Sequence, residues 1–523
     1  MKSEENDLFE RSKQGFLQLV FSRFGIVLFL LLVQVWLIFG LYQYITVNYA
    51  HLFYYSFIVF SIVGYLILFN SKSDNSVKLT WMLIFTLLPV IGILFYFYTR
   101  LDFGHRLESS RLIQIKEASR ELIKTKEEVK KELEERPDLK GLATFINQAG
   151  NCPVYHNGEV TYFSLGEEKF ADLLQELKAA KHFIFMEYFI VAKGEMWGQI
   201  LEILIEKAQE GVEVRFMYDG FCEFSLLPRS YSKELAKYGI KCKVFAPIQP
   251  FISTVYNFRD HRKICVIDGQ VAYTGGVNLA DEYINKIERF GHWKDTAVKI
   301  RGGAAQSFTL MFLQMWALDS NTTDFEKWLK LSEQEGIKAH GKGFVLPYGD
   351  SPLDGERVGE MVYFDLLNKA QSFVQIMTPY LILDGEMETA LTFAAKRGVK
   401  VQIILPHIPD KKYAFALAKS HYATLIQAGV EIYEYTPGFV HAKSFVVDGY
   451  KGTIGTINLD YRSFYHHFEC GVYLEDVPAI GEMVKDFNQT RALSQQVTLE
   501  DVYREKKSTR LLGWFLKIFA PLM

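Results

Sequence analysis

A histidine and a lysine two residues apart, His261 and Lys263, stand in the otherwise apolar run HRKICVIDGQVAYTGGVN at 261–278. The run HAKSFVVDGYKGTIGTIN at 441–458 repeats the spacing H-x-K-x4-D-x6-G-x-x-N. The matched positions are His261 and His441, Lys263 and Lys443, Asp268 and Asp448, Gly275 and Gly455, Asn278 and Asn458. A lone H-x-K carries no information, but this set occurring twice is a strong signal. On a strand, residues i and i+2 face the same side, so each His and Lys point together into one site. Asn278 and Asn458, at the following strand-turn, can reach the same anion. Gly275 and Gly455 permit a close backbone approach or a sharp turn.

Two imidazoles, two ammonium groups and two carboxamides suit a phosphodiester. Its negative charge spreads in the transition state, and fixed Lys and Asn donors stabilise the equatorial oxygens. One histidine can attack phosphorus while the other protonates the departing alkoxide, then deprotonates an acceptor hydroxyl. No metal or other cofactor is needed, because the lysines neutralise charge. There is no H-E-x-x-H, and the adjacent His466 and His467 lack metal-ligand spacing.

The elements that must carry these residues alternate helix and strand from 141 onward. FIFMEYFI, VEVRFMYD and IKCKVF read as strands between the helices ADLLQELKAAKH, EMWGQILEILIEKAQEG and SYSKELAKYG. The order recurs about 190 residues later, where AKRGVKVQIILP matches AQEGVEVRFMYD and LIQAGVEIYEY matches LAKYGIKCKVF. This predicts α/β architecture with covered sheets, as two pseudo-symmetric domains over 141–330 and 331–500. Residues 101–140, dense in Lys, Arg and Glu, read as a charged, solvated helical linker ended before Pro137.

Residues 1–100 read as a membrane region. Spans over 24–45, 51–69 and 79–98 each approach the roughly 20 residues needed to cross a bilayer. Pro89 and Gly92 do not exclude the third. Basic residues flank both sides in similar number, so the positive-inside rule does not decide the orientation. At 501–523, Leu511, Leu512, Trp514, Phe515, Ile518 and Phe519 fall near one helical face, with Arg510 and Lys517 beside them; this reads as an amphipathic helix lying on lipid. The net charge of −3 gives no basic field pointing to nucleic acid. Five scattered cysteines read as reduced core thiols.

The duplicated motif resembles that of the phospholipase D superfamily over about 141–490. YTGGVNLADEY, HWKDTAVKIRG, TPYLILD, FVHAKSFVVDG and GTINLDYRSFYHHFE, with LLPVIGILFYFYTR near the membrane, are similar to the bacterial cardiolipin synthases. The resemblance implies two phospholipase D-like α/β domains with mixed sheets, preceded by transmembrane helices. It implies a phosphatidyltransferase that joins two phosphatidylglycerols into cardiolipin and glycerol through a phosphohistidine. Hydrolysis to phosphatidic acid is the alternative outcome of the same chemistry. It further implies His261 as nucleophile, His441 as general acid and base, and Asp295 and Glu469 as carboxylates that orient the histidines. Asp268 and Asp448 complete the motif's catalytic set, though the resemblance places them outside the pocket, holding a strand turn. Glu187 and Tyr380 are strand-end candidates for lining the site. Where the family usually has Ser after the glycine, this chain has Gly276 and Thr456. Membrane lipid is the expected partner, with the catalytic domains on the cytoplasmic side of the cell membrane.

Overall fold

The computed structural model describes residues 29–37, 47–100, 103–156, 158–247, 258–318, 324–334 and 341–522. The chain divides into two compact units, one essentially Met1–Phe103 and the other Gly104–Pro521.

In the larger unit the repeat is plain in the strand order. The first half forms a seven-stranded sheet. Its order is Glu159–Phe163, Ala297–Arg301, Val271–Gly275, Lys263–Ile267, Phe183–Tyr188, Glu213–Asp219, Lys241–Phe245. The last three strands are parallel and the other pairings antiparallel. The second half repeats this order as Phe344–Asp350, His467–Glu475, Lys451–Gly455, Ser444–Val447, Phe373–Met377, Lys400–Pro406, Glu431–Tyr435. Both sheets are therefore mixed, as expected of α/β halves. The motif strands Lys263–Ile267 and Ser444–Val447 hold equivalent central places and are buried throughout. Central strands covered on both faces need continuous apolar sequence, which is why Lys263 at the start of one and Lys443 just before the other stand out.

The halves are not walled off from each other. One hydrophobic cluster joins Phe183, Phe185 and Ile264 of the first sheet to Leu346, Val374 and Ile376 of the second, with the helix Ala305–Leu318 inside it. Short strands also cross over. Arg259–Asp260 runs parallel to His467–Phe468, and Gly438–Val440 runs parallel to His292–Lys294. Each of these four segments sits directly beside a catalytic candidate in sequence.

The charged segment after residue 101 differs from a solvated spacer. It forms the helices Phe103–Ser119, Glu127–Glu134 and Pro137–Gly150. Leu112, Ile115, Val129, Leu133 and Leu139 join the main core, and Lys116 pairs with Asp354 at 2.5 Å. One apolar residue per turn is enough to dock a helix whose other faces are charged.

In the smaller unit, no helix among the described residues is long and apolar enough to cross a membrane. The span expected at 24–45 lies largely outside the described residues. The one expected at 51–69 falls in the helix Val47–Phe69. The one expected at 79–98 is two helices, Asn75–Leu87 and Pro89–Arg100. They fold back on each other, with the Trp81 and Tyr96 rings 5.2 Å apart. Proline has no N–H for an internal helical bond and clashes with the preceding turn, so the chain turns at Leu88. Pieces of 13 and 12 residues reach about 20 Å each at 1.5 Å per residue, short of a hydrocarbon core about 30 Å thick.

Candidate active site

Each motif histidine is held by a carboxylate from the opposite half. His261 Nδ1 lies 2.9 and 3.0 Å from the two Glu469 oxygens. His441 Nδ1 lies 2.7 Å from Asp295 Oδ2. The crossing strands cause this exchange. The His261 amide donates to Phe468 O at 3.0 Å, beside Glu469, and the His441 amide donates to Lys294 O at 2.7 Å, beside Asp295. A carboxylate on Nδ1 fixes the tautomer and leaves Nε2 for chemistry. Asp295 and Glu469 were both visible as site residues, but each serves the histidine of the other repeat.

The glycines of the motif make this approach possible. A Cβ on Gly275 would sit 2.5 Å from Thr296 O, and one on Gly455 would sit 2.3 Å from Cys470 O. Gly276 and Thr456 then break the symmetry. A Cβ at Gly276 would meet Asp295 Oδ1 at 1.9 Å. At the equivalent place, Thr456 donates its hydroxyl to Glu469 and receives the Cys470 amide at 3.0 Å. The residue after the glycine thus supports an orienting carboxylate in one half and makes room for one in the other.

Lys263 and Lys443 are buried, and each donates back to the carbonyl of its own histidine. Burial lowers Lys263 to about 8, although Glu469 and Asp295 attract its charge. Burial lowers Lys443 to about 7, with Lys263 also acting against its charge. Charges from the two halves therefore act on one another across a common space. Burial and then Lys263 hold His261 well below the usual imidazole range, and His441 also contributes. Burial and then Lys443 bring His441 down to about 4. His261 is therefore uncharged at neutral pH, so its nucleophilic nitrogen needs no prior deprotonation. His441 acts as an acid only once protonated, a form that the negative charge of a bound phosphodiester favours. Glu469 is pushed well above the usual carboxylate range by burial. At Asp295 burial acts in the same direction, but His441 and Lys443 outweigh it and hold the group below that range.

The remaining candidates divide. Asn278 is committed on one side: its Oδ1 accepts from Ile190 N at 3.0 Å and its Nδ2 donates to Tyr283 at 2.8 Å. One amide hydrogen remains for an anion. Asn458 is buried with its Oδ1 unpartnered. Asp268 and Asp448, counted with the catalytic set, do not face the site. Asp268 accepts from the amides of Lys181, His182 and Phe183. Asp448 accepts from those of Gln371, Ser372 and Phe373. Both stand at φ near +50°, where aspartate is tolerated, and both tie the turn after a motif strand to the start of its neighbour. Glu187 is spent on a buried pair with Arg262 at 2.5 Å. Tyr380 donates to Asp410 at 2.6 Å.

Four rings beside the histidines were not foreseen. Phe189 lies 5.0 Å from His261, and Tyr283 and Trp293 lie 5.4 Å from His441, ring centre to ring centre. The fourth is His467, 5.1 Å from His261. The spacing of His466 and His467 hid it, because its companions His261 and Glu469 come from elsewhere in the chain. Aligning HFE at 467–469 with WKD at 293–295 would have paired it with Trp293.

The profile of the family described as cardiolipin synthase, phospholipase D-like domain, matches residues 173–316 and 363–491. A Streptococcus mutans protein described as uncharacterized is 51% identical over 459 residues, covering 88% of this chain and 99% of its own. The cardiolipin synthase of Alkalihalophilus pseudofirmus is 34% identical over 471 residues, 88% of this chain and 92% of its own. Among solved structures, phosphatidylserine synthase from Haemophilus influenzae superposes with a TM-score of 0.54 at 17% identity. That match covers 74% of this chain and 98% of the other, and shows a shared fold.

Proposed function

The chain belongs to the cardiolipin synthase family of phospholipase D-like phosphatidyltransferases, and on that premise we propose that its donor and acceptor are both phosphatidylglycerol. His261 Nε2 attacks phosphorus of the first lipid. The bond to the glycerol oxygen breaks, and His441 delivers the proton that lets glycerol leave. The phosphatidyl group rests on His261 as a phosphohistidine. A hydroxyl of the second phosphatidylglycerol then gives its proton to His441 and attacks phosphorus. The P–N bond breaks, cardiolipin departs, His261 is a neutral imidazole again and His441 again holds the proton it began with. Lys263, Lys443 and the two Asn side chains face the phosphoryl oxygens throughout, where fixed donors act most strongly.

The observation that supports this reading is the exchanged pair of His–carboxylate contacts: each buried motif histidine is oriented from the opposite half, and the charges of Lys443 and His441 act on His261. Water competes with the acceptor for a phosphohistidine, so a transferase must keep the site dry. His261 is 7% exposed and His441 8%. Phe221 stacks on Phe189, which packs against His261, and both Phe221 and Phe224 are exposed. This gives an apolar lip for a lipid.

Attachment to the cell membrane, with the catalytic halves on the cytoplasmic side, completes the proposal. The helix Val47–Phe69 exposes Tyr55, Val59, Ile62, Leu66 and Phe69, a surface suited to lipid rather than water. The helix Lys507–Lys517 docks through Gly513, close against Ala416 O, and leaves Leu511, Leu512, Trp514 and Phe515 exposed. Incubation of the full-length protein with vesicles of phosphatidylglycerol alone tests the chemistry. Cardiolipin and glycerol in equal amounts are expected, with a phosphohistidine trapped on acid-free denaturation. Phosphatidic acid as the main product would overturn the transferase reading.

A further inference from the structure

His467 has no task in the scheme above, yet it lies as deep as the reacting groups, 6% exposed beside 7% for His261. Neither of its ring nitrogens has a hydrogen-bond partner. Its Nδ1 stands 3.5 Å from Glu469 Oε1. A buried polar group left unpaired costs about 1–3 kcal/mol, so two such atoms on one ring call for a ligand.

Two ligand classes fit an imidazole in this position. Donor atoms of His261, His467 and Glu469 lie within 4.8 Å of one another, which is the set a zinc ion takes. The surrounding charge argues against a cation. Burial, then Arg462, His466, Lys263 and Arg259, keep His467 from taking up a proton. Groups that resist one more positive charge on the ring resist a divalent ion beside it still more strongly, and they favour an anion.

The repeat supplies a second, independent observation. His467 stands two residues before Glu469, and Trp293 stands two residues before Asp295. Trp293 packs on His441 as His467 packs on His261. The Trp293 Nε1 is also buried without a partner. Each half thus places one ring donor, unused by protein, against the motif histidine of the other half.

We propose that His467 donates a hydrogen bond from its ring to a non-bridging phosphoryl oxygen of the bound phosphodiester, as a further catalytic residue on the His261 side of the site. The inference rests on the reading that the site holds a phosphodiester. A neutral imidazole has one N–H to give, and as the negative charge grows in the transition state this donor gains strength without moving.

The test uses full-length protein in detergent with phosphatidylglycerol as substrate and orthovanadate as an oxyanion probe. Loss of one such donor lowers kcat by about 10²-fold or more. His467→Phe is expected to show that loss, with vanadate affinity weakened in parallel. His467→Asn, which keeps a donor, is expected to recover most of both. If His467→Phe fails to fold, His467→Met takes its place. Wild-type kcat and vanadate affinity in a folded donor-free variant would overturn the proposal. So would a defect that His467→Asn leaves unrelieved, which marks a packing role. If the wild type makes no cardiolipin but its vanadate binding still depends on the His467 donor, the transferase reading falls and this one stands.

Discussion

The exchanged carboxylates predict unequal costs for two conservative substitutions. Asp295 meets His441 through one oxygen at 2.7 Å. Burial opposes its charge, but His441 and Lys443 hold it below the usual carboxylate range, so it is ionised at neutral pH. Asp295→Asn removes that charge and turns His441 toward the wrong tautomer. A buried triad carboxylate replaced in this way costs about 10⁴-fold in kcat, or about 5.5 kcal/mol at 1.36 kcal/mol per decade. Glu469 is placed differently. Burial pushes it well above the usual range, so a neutral amide in its place gives up less charge stabilisation than at Asp295. Glu469→Gln keeps an acceptor for His261, and Thr456, which now donates to Glu469, can accept from the amide instead. The expected cost is that of one weakened hydrogen bond, about 1–1.5 kcal/mol, or about tenfold. Initial rates of cardiolipin formation, with melting temperatures to establish folding, give the comparison. A Glu469→Gln defect equal to or larger than that of Asp295→Asn would refute the reasoning.

Oxyanion binding depends on the charge of the two buried lysines. Lys443 at about 7 and Lys263 at about 8 are charged below those values and neutral above them. Sulfate, whose own charge is constant over this range, is expected to inhibit less as pH rises through 7 and then 8, and Lys443→Arg is expected to remove the first decline. Gly276→Ala places a methyl 1.9 Å from Asp295 Oδ1 and is expected to cost nearly as much kcat as Asp295→Asn, while folding normally. Thr456→Val leaves Glu469 and the Cys470 amide each short of a partner; a loss of about 1–3 kcal/mol of stability is expected, with Thr456→Ser close to wild type by melting temperature. Leu511→Ser with Trp514→Ser, both exposed on the last helix, is expected to raise KM for vesicular phosphatidylglycerol and leave kcat unchanged.

Much of the site was legible because one five-position spacing stands twice in the chain. The strand alternation expected of it begins late, since the motif strands start at Lys263 and Ser444, after both histidines and Lys443. The repeat of AQEGVEVRFMYD as AKRGVKVQIILP foretold two sheets of one order. Other features lay below what periodicity can show. Arg259–Asp260 and Gly438–Val440 are two and three residues long, too short for a pattern, yet they decide which carboxylate meets which histidine. The helices of 103–150 hide a one-residue-per-turn apolar stripe beneath their charges. Pro89 broke a stretch whose apolar content alone suggested a continuous span, because hydropathy counts transfer energy and not the missing amide. His467 escaped notice because its partners in space are not its neighbours in sequence.

The short crossing strands also explain why the repeat is fused so tightly. In a sheet a one-residue slip turns every side chain to the opposite face. If His467–Phe468 slipped by one residue against Arg259–Asp260, Glu469 would turn away from His261 and Phe468 would take its place. A ladder of two residue pairs cannot set that register by itself. Larger features must do so: the common core joining Phe185 and Ile264 to Leu346 and Ile376, and the bond from Tyr162 in the first half to Asp486 in the second at 2.6 Å. Asp486 also pairs with Lys294 at 2.8 Å, which lies next to Asp295 and gives its carbonyl to the His441 amide. The contact between the halves therefore does more than hold two domains together. It sets the carboxylate that each motif histidine needs, and neither His261 nor His441 takes that carboxylate from its own half.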